Sequence, residues 1–158
     1  FPIDRNDFSV TVNGTKITFD GVFNAIHGTP GEDGLMQAYF ELLGIPQSSC
    51  DYYQAALTFN KRDLLSVLKP YGIKTATSYY LNQGDKIDED EIINKVGLPC
   101  FVKPNKSGSS FGISKVKTKD ELDYAIVNAY KEDNEIIIES FLDGTEVSVG
   151  VINYQGES

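Results

Sequence analysis

The stretch from Val22 to Leu43 constrains the fold most. A largely apolar run, Val22 to Ile26, leads into His27-Gly28-Thr29-Pro30-Gly31-Glu32-Asp33-Gly34. Beyond it, Leu35, Met36, Tyr39, Phe40, Leu42 and Leu43 recur at helical spacing. Gly44 and Pro46 end that helix, because glycine accepts the left-handed conformation of a helix terminus and proline cannot continue one. Strand, glycine-rich turn and helix in that order point to an α/β layer.

The flanking segments extend this reading. Between Ser9 and Phe19, two alternating runs surround Asn13-Gly14, whose tolerance of positive φ makes a tight hairpin. Gln54 to Leu57 and Lys61 to Leu68 read as helical, closed by Pro70-Tyr71-Gly72, and Thr75 to Leu81 is β-prone. Asp88 to Val96 is an acid-started helix ending at Gly97, and Cys100 to Val102 is a brief strand. Lys103-Pro104 opens a loop that runs to Gly112, and Ile113 to Val116 is the strand leaving it. Thr118 and Glu121 have capping-box spacing ahead of a helix to about Tyr130. Glu135 to Leu142 and Val147 to Tyr154 read as strands around the turn Asp143-Gly144.

Composition removes several classes of function. A net charge of −9 argues against nucleic acid as a partner, since phosphate backbones are neutralised by an excess of Lys and Arg. The longest apolar runs, such as Ile136-Ile137-Ile138, are strand-sized, far short of the roughly 18 residues of a membrane span. Neither a basic start nor an apolar stretch marks Phe1 to Arg5 as a secretory signal. Cys50 and Cys100 lack metal-ligand spacing and read as ordinary thiols of a reducing compartment. His27 is the single histidine, so no multi-histidine metal site can form within the chain.

Several residues could carry chemistry, and each has a plain structural alternative. The loop Ser107-Gly108-Ser109-Ser110-Phe111-Gly112 offers backbone amides and hydroxyls to an anion, but such loops also make simple hairpins. It lacks the Gly-Lys-Ser/Thr of a Walker loop. Lys103, at a strand end beside it, is either a phosphate ligand or a solvated charge, and Lys61 reads first as a helix-surface lysine. Glu139 ends an apolar strand and Glu146 follows a turn; such a strand end could present a carboxylate and backbone groups to a planar base. His27 sits at a strand's C-terminal end, where α/β proteins place ligands. Capping of the following helix explains Glu32 and Asp33.

Taken in order, these segments resemble the D-alanine–D-alanine ligase family of ATP-grasp enzymes. The resemblance rests on His27-Gly28-Thr29-Pro30-Gly31-Glu32-Asp33-Gly34 with Gln37, on Asn60-Lys61, and on Gly97-Leu98-Pro99-Cys100-Phe101-Val102-Lys103-Pro104. It continues through Gly108-Ser109-Ser110-Phe111-Gly112-Ile113-Ser114-Lys115-Val116 and Ile138-Glu139-Ser140-Phe141-Leu142-Asp143-Gly144-Thr145-Glu146. It implies an α/β (α+β ATP-grasp) fold in three pieces. Residues 1–49 would be the C-terminal part of a Rossmann-like pre-ATP-grasp domain, 50–139 the central ATP-grasp subdomain, and 140–158 the first strands of the C-terminal subdomain.

The resemblance also implies roles by position. Lys61 and Lys103 would bind the ATP α- and β-phosphates, with Ser110 and neighbouring amides covering them as a flexible lid. Glu139, with the backbone of Ser140 and Leu142, would read the adenine beside Phe141, and Glu146 would take the ribose hydroxyls. His27 and Ser109 would contact the first D-alanine. Its carboxylate would accept the γ-phosphoryl group, and the amine of a second D-alanine would then displace phosphate, with two magnesium ions neutralising the phosphates. Ser107 stands where many relatives have Glu, and Phe141 where Trp is frequent.

The same resemblance places the family's N-terminal glycine-rich loop before Phe1. It places the transition-state arginine and the magnesium ligands after Ser158, so none is named within this chain. The chain is thereby expected to be an internal segment, inactive by itself, of a cytoplasmic, homodimeric enzyme of peptidoglycan precursor synthesis. The alternatives are a D-alanine–D-lactate or D-alanine–D-serine ligase, or a nucleotide-binding module without ligase activity.

Overall fold

The computed structural model describes residues 1–151. Its first part is a three-stranded antiparallel sheet, β1 (Ile3–Asp4), β2 (Ser9–Val12) and β3 (Thr15–Ile17), in the order β1-β2-β3. The expected hairpin is present: Asn13 and Gly14 both have positive φ, 50° and 79°, as a two-residue turn matched to strand twist requires. The sheet docks through Phe8, whose ring lies 4.8 Å edge-on to that of the buried Phe40.

Phe40 belongs to α1 (Leu35–Leu43), the helix expected after the glycine-rich turn. Gly44 ends it with φ 69°, while the Ile45 amide reaches back to the Phe40 carbonyl at 2.9 Å. The strand expected at Val22 to Ile26 does not form. Val22 makes one parallel bridge, to Gln47, and the segment beyond it runs without a neighbouring strand, with Phe23 exposed. β-propensity describes how well a residue suits a pleated, paired surface, and a single bridge does not make one.

Two short helices follow, α2 (Tyr52–Phe59) and α3 (Lys61–Leu68). Asp51 caps the first by accepting from the Gln54 amide, and Asn60 caps the second by accepting from the Asp63 amide. A 3₁₀ turn over Lys69–Tyr71 closes on Gly72.

The larger sheet contains β4 (Ser78–Asn82), β5 (Cys100–Pro104), β6 (Ser114–Val116) and β7 (Glu135–Ser140), in the antiparallel order β4-β7-β5-β6. Two helices, α4 (Glu89–Val96) and α5 (Leu122–Ala129), close one core with it. The predicted capping box is present, with Thr118 and Glu121 bonding reciprocally ahead of α5. Leu81, Ile92, Cys100, Val102, Val116, Leu122, Ile126, Ile136 and Ile138 fill this core.

Lys103 and Pro104 extend β5 instead of opening the loop, and β7 ends at Ser140 instead of Leu142. There the Phe141 amide turns to the Pro99 carbonyl at 3.2 Å, and the chain leaves the sheet. No strand forms between Val147 and Val151, and the remainder of that expected strand lies outside the described residues.

Side chains alternate across a strand. In β5, Cys100 and Val102 join the helix-covered core, which sends Phe101 and Lys103 to the opposite face. In β7, Ile136 and Ile138 join the core, which sends Ile137 and Glu139 to that same opposite face. Phe101 pairs with Glu139 and Lys103 with Ile137 across the two strands.

Candidate functional site

The face opposite the helices carries the first group of candidate residues. A cavity of about 610 Å³ is lined by Leu65, Phe101, Lys103, Glu139, Ser140, Phe141, Leu142 and Glu146. Every residue expected to meet the base or ribose is there, together with one of the two expected phosphate lysines. The Lys103 ammonium lies 2.7 Å from Glu139 Oε2, and both side chains are mostly withdrawn from solvent. Phe101 and Phe141 form an aromatic wall with ring centroids 6.2 Å apart. Lys115 places its ammonium 3.9 Å from the Phe141 centroid, within cation–π range. A planar group entering this cavity meets aromatic faces, a carboxylate acceptor and the edge of β7.

The second group surrounds a smaller cavity of about 310 Å³, lined by His27, Gly28, Thr29, Ser107, Gly108, Ser109, Lys106 and Glu132 among others. His27 and Ser109 therefore meet, although they lie far apart in sequence. The His27 ring is largely exposed, with Nδ1 3.9 Å from Glu32 Oε1. Glu32 Oε2 accepts the Gly28 amide at 2.7 Å, folding the turn back on itself. The same oxygen lies 2.6 Å from where a Cβ on Gly108 would stand, so the serine loop approaches this turn closely and a side chain at residue 108 would displace the Glu32 carboxylate. His27 also lines a neighbouring cavity of about 590 Å³ that includes Gln37. Gln37 is buried; its amide nitrogen donates to the Gly31 carbonyl, while its Oε1 has no protein partner.

Lys61 joins the two groups. It sits at the start of α3, half-buried, with Nζ 2.8 Å from the Ser107 carbonyl and 3.3 Å from that of Asn105. Burial, and then the positive charge of nearby Lys103, push its pKa below the ordinary lysine value. Among the described residues no carboxylate comes within ion-pair distance of Lys61; Glu139, which pairs with Lys103, and Asp133 act on it only from farther away. A partly buried cationic pair of this kind suits a polyanion. Lys61 lines neither of the two cavities. Ser110 lines neither as well; it is exposed at the loop tip with φ 60°, next to Ser109 with φ 49°.

Three participants are given no role in the site by the sequence. Phe101 could have been found, since strand alternation places it on the face of Lys103. The contact of Glu32 with Gly108 joins distant segments and leaves no local signal. Asn105 reads as a turn residue after proline, yet it is almost fully buried. Among the described residues no three His, Cys, Asp or Glu side chains gather to hold a metal ion. No helix among them is long and apolar enough to cross a membrane.

Residues 67–158 match the family model described as D-ala D-ala ligase C-terminus. The chain is 86% identical over 157 residues to the D-alanine–D-alanine ligase of Flavobacterium johnsoniae, covering 99% of this chain and 49% of that protein. It is 66% identical to the D-alanine–D-alanine ligase of Christiangramia forsetii, covering 99% of this chain and 48% of that one. The chain thus spans about half the length of the curated relatives it matches. Among solved structures it resembles D-alanyl-alanine synthetase A from Vibrio cholerae, with TM-score 0.79 and 29% identity over 90% of this chain and 43% of the other. It also resembles the VanG D-Ala:D-Ser ligase from Enterococcus faecalis, with TM-score 0.72 and 35% identity over 89% of this chain and 41% of the other.

Proposed function

Given that this chain belongs to the D-alanine–D-alanine ligase family, we propose that it forms the nucleotide cradle and part of the first-substrate site of an ATP-dependent ligase. That enzyme joins two D-alanines through an acyl phosphate, for peptidoglycan precursor synthesis. In this reading it works in the cytoplasm as a homodimer, and the chain divides into segments 1–49, 50–139 and 140–158.

One observation carries the reading. Lys61 bonds the carbonyl of Ser107, which lines the cavity of His27 and Ser109, and feels the charge of Lys103, which lines the cavity of Glu139 and Phe141. The larger cavity would take ATP, with an aromatic wall for the base, a carboxylate and strand edge for its amino group, and Lys103 for a phosphate, while Lys61 would reach the phosphates from beside the serine loop. Glu146 lines the same cavity and would take the ribose hydroxyls. His27 and Ser109 would hold the D-alanine carboxylate that takes the γ-phosphoryl group, and Ser110 at the loop tip would close over the phosphates. The Lys103–Glu139 pair must exchange partners as nucleotide enters, the lysine turning to phosphate and the carboxylate to the base.

Magnesium accompanies ATP in this family's chemistry. No magnesium ligand is assigned to this chain, and every role proposed here belongs to its own side chains. A second reading, with D-serine as the second substrate, is favoured by the likeness to the VanG ligase. D-alanine-dependent ADP release by the full-length protein, with D-serine as competitor, decides between the two.

The cradle itself is tested by Lys103→Ala in the full-length protein. A charge-assisted contact to phosphate contributes about 1.5–3 kcal/mol, so calorimetry should show ATP affinity falling about tenfold or more. D-alanine affinity should hold. Unchanged ATP affinity would reduce Lys103 to the structural partner of Glu139 and remove the reading.

A further inference from the structure

Asn105 stands one residue beyond β5 with 1% of its surface exposed. A polar side chain is tolerated at that depth only when its atoms are paired. Its Nδ2 donates to Asn60 Oδ1 at 2.9 Å and to Glu135 Oε2 at 2.8 Å, and its Oδ1 accepts the Arg62 amide at 2.8 Å. Its own amide donates to the Glu135 carbonyl at 2.9 Å. Its carbonyl accepts both the Lys61 amide at 3.2 Å and the Lys61 ammonium at 3.3 Å. Three consecutive residues, Asn60, Lys61 and Arg62, are therefore fastened to one asparagine, which is in turn fastened to the start of β7.

We propose that Asn105 is a positioning residue: it clamps the junction of α2 and α3 to the sheet, and so sets the Lys61 ammonium at the foot of the serine loop and beside Lys103. The proposal rests on the nucleotide reading given above. Lys103 is on β5 and needs no help to be held in the sheet. Lys61 belongs to a separate helix, and nothing local fixes its distance from Lys103. Asn105 supplies that link, because it directly follows Lys103 and Pro104, which end β5. Only an amide meets the requirement. A carboxylate would face Glu135 and lose both donors, and a hydroxyl is too short to reach Asn60, Arg62 and Glu135 together.

The position also accounts for how the loop is anchored. Lys61 bridges the carbonyls of Asn105 and Ser107, while the Lys106 amide between them is held by Asp133 Oδ2 at 2.6 Å. The serine loop thus leaves a fixed base, and its tip is exposed. A shift of the 60–62 junction would move the Lys61 ammonium and the start of the loop together.

A double-mutant cycle on ATP affinity in the full-length protein tests this, using wild type, Asn105→Ser, Lys61→Ala and the double variant, with circular dichroism to verify folding. Each single change is expected to weaken ATP binding by about tenfold. Because Asn105 acts through Lys61, the double variant should be no weaker than Lys61→Ala alone. Additive losses, or unchanged affinity in a folded Asn105→Ser protein, overturn the proposal. Unchanged affinity in Lys61→Ala overturns the nucleotide reading at that lysine, and the proposal with it. If Asn105→Ser does not fold, Asn105→Asp is compared with and without Glu135→Gln, whose amide can donate to the new carboxylate. Recovery of ATP affinity in the pair supports the clamp, and no recovery overturns it.

Discussion

Ile136, Ile137 and Ile138 are 2%, 0% and 0% exposed, whereas Phe23 and Ile26 are 84% and 46% exposed. Both segments carry the same kind of signal, a short run of β-prone apolar residues. The isoleucines lie in β7, hydrogen-bonded to β4 on one side and β5 on the other, with the helix layer over one face. Phe23 follows a single bridge to Gln47 and has no strand beside it. An apolar run states a demand for partners, and whether it becomes a strand depends on whether another part of the chain supplies them. The larger sheet therefore stands on packing, and the region before residue 50 stands on its turns and one aromatic cluster.

The sharpest test truncates an apolar side chain in each region of the 158-residue chain. Ile138→Ala removes a fully buried side chain between strands and helices, and should cost about 2–5 kcal/mol. Phe23→Ala removes a larger side chain from solvent, and should stay within about 0.5 kcal/mol. Urea denaturation of both variants supplies the numbers. Comparable losses would mean that Phe23 is held by contacts the exposed ring does not show, and the contrast between the regions would collapse.

A smaller effect marks where the first region is held tightly. Gly34 has φ 93°, and a Cβ there would fall 2.5 Å from the Tyr52 carbonyl oxygen and 3.2 Å from Ala56 Cβ. The glycine-rich turn is pressed onto α2 at this point, against backbone that cannot swing aside. Gly34→Ala is expected to cost about 1–3 kcal/mol through the left-handed conformation and the clash together. Gly44→Ala, with similar φ and nothing within 4 Å, should cost less. Equal losses in thermal denaturation would show that backbone conformation alone matters, and that the turn does not seat on α2.

What the sequence revealed follows the same division between local and distant causes. The Asn13-Gly14 hairpin, the Gly44 helix end and the Thr118–Glu121 capping box lie within a few residues of their causes, and all three are present. The order β4-β7-β5-β6 is set by pairing between distant segments, which no local pattern states. At the site, the grouping of Lys103, Glu139, Phe141 and Glu146 followed from family resemblance, and alternation explains why Lys103 and Glu139 share a face. The ion pair between those two residues had no local signal, because register and not spacing brings them together. Asn105 was passed over for the same reason: a residue after proline and before lysine reads as a turn until the partners from α3 and β7 are seen.

The smallest expected effect separates the clamp around Asn105 from the apolar core beneath it. Glu135 accepts from Lys106 Nζ at 3.1 Å and from Asn105 Nδ2 at 2.8 Å, and these two contacts, the lysine first, hold its pKa below the ordinary value of 4.5. In the unfolded chain those contacts are gone and the carboxyl titrates normally. Ionised Glu135 therefore stabilises the fold at pH values above about 4.5, and this contribution disappears as pH falls through its lower folded value. Glu135→Gln keeps the shape and removes the charge. At pH 7 the variant should be less stable by about 0.5 kcal/mol, since the Lys106 side chain is partly exposed and the pair is screened by solvent. At pH 3, below the unfolded value of 4.5, the gap should narrow, because the unfolded carboxyl is then protonated and ionised Glu135 no longer contributes in full. The core substitution Ile138→Ala should show the same loss at both pH values, as no titrating group is involved. Urea midpoints for the three proteins at the two pH values make the comparison, and a Glu135→Gln gap that holds constant from pH 7 to pH 3 would show that the amide hydrogen bonds, and not the charge, carry the clamp's stability.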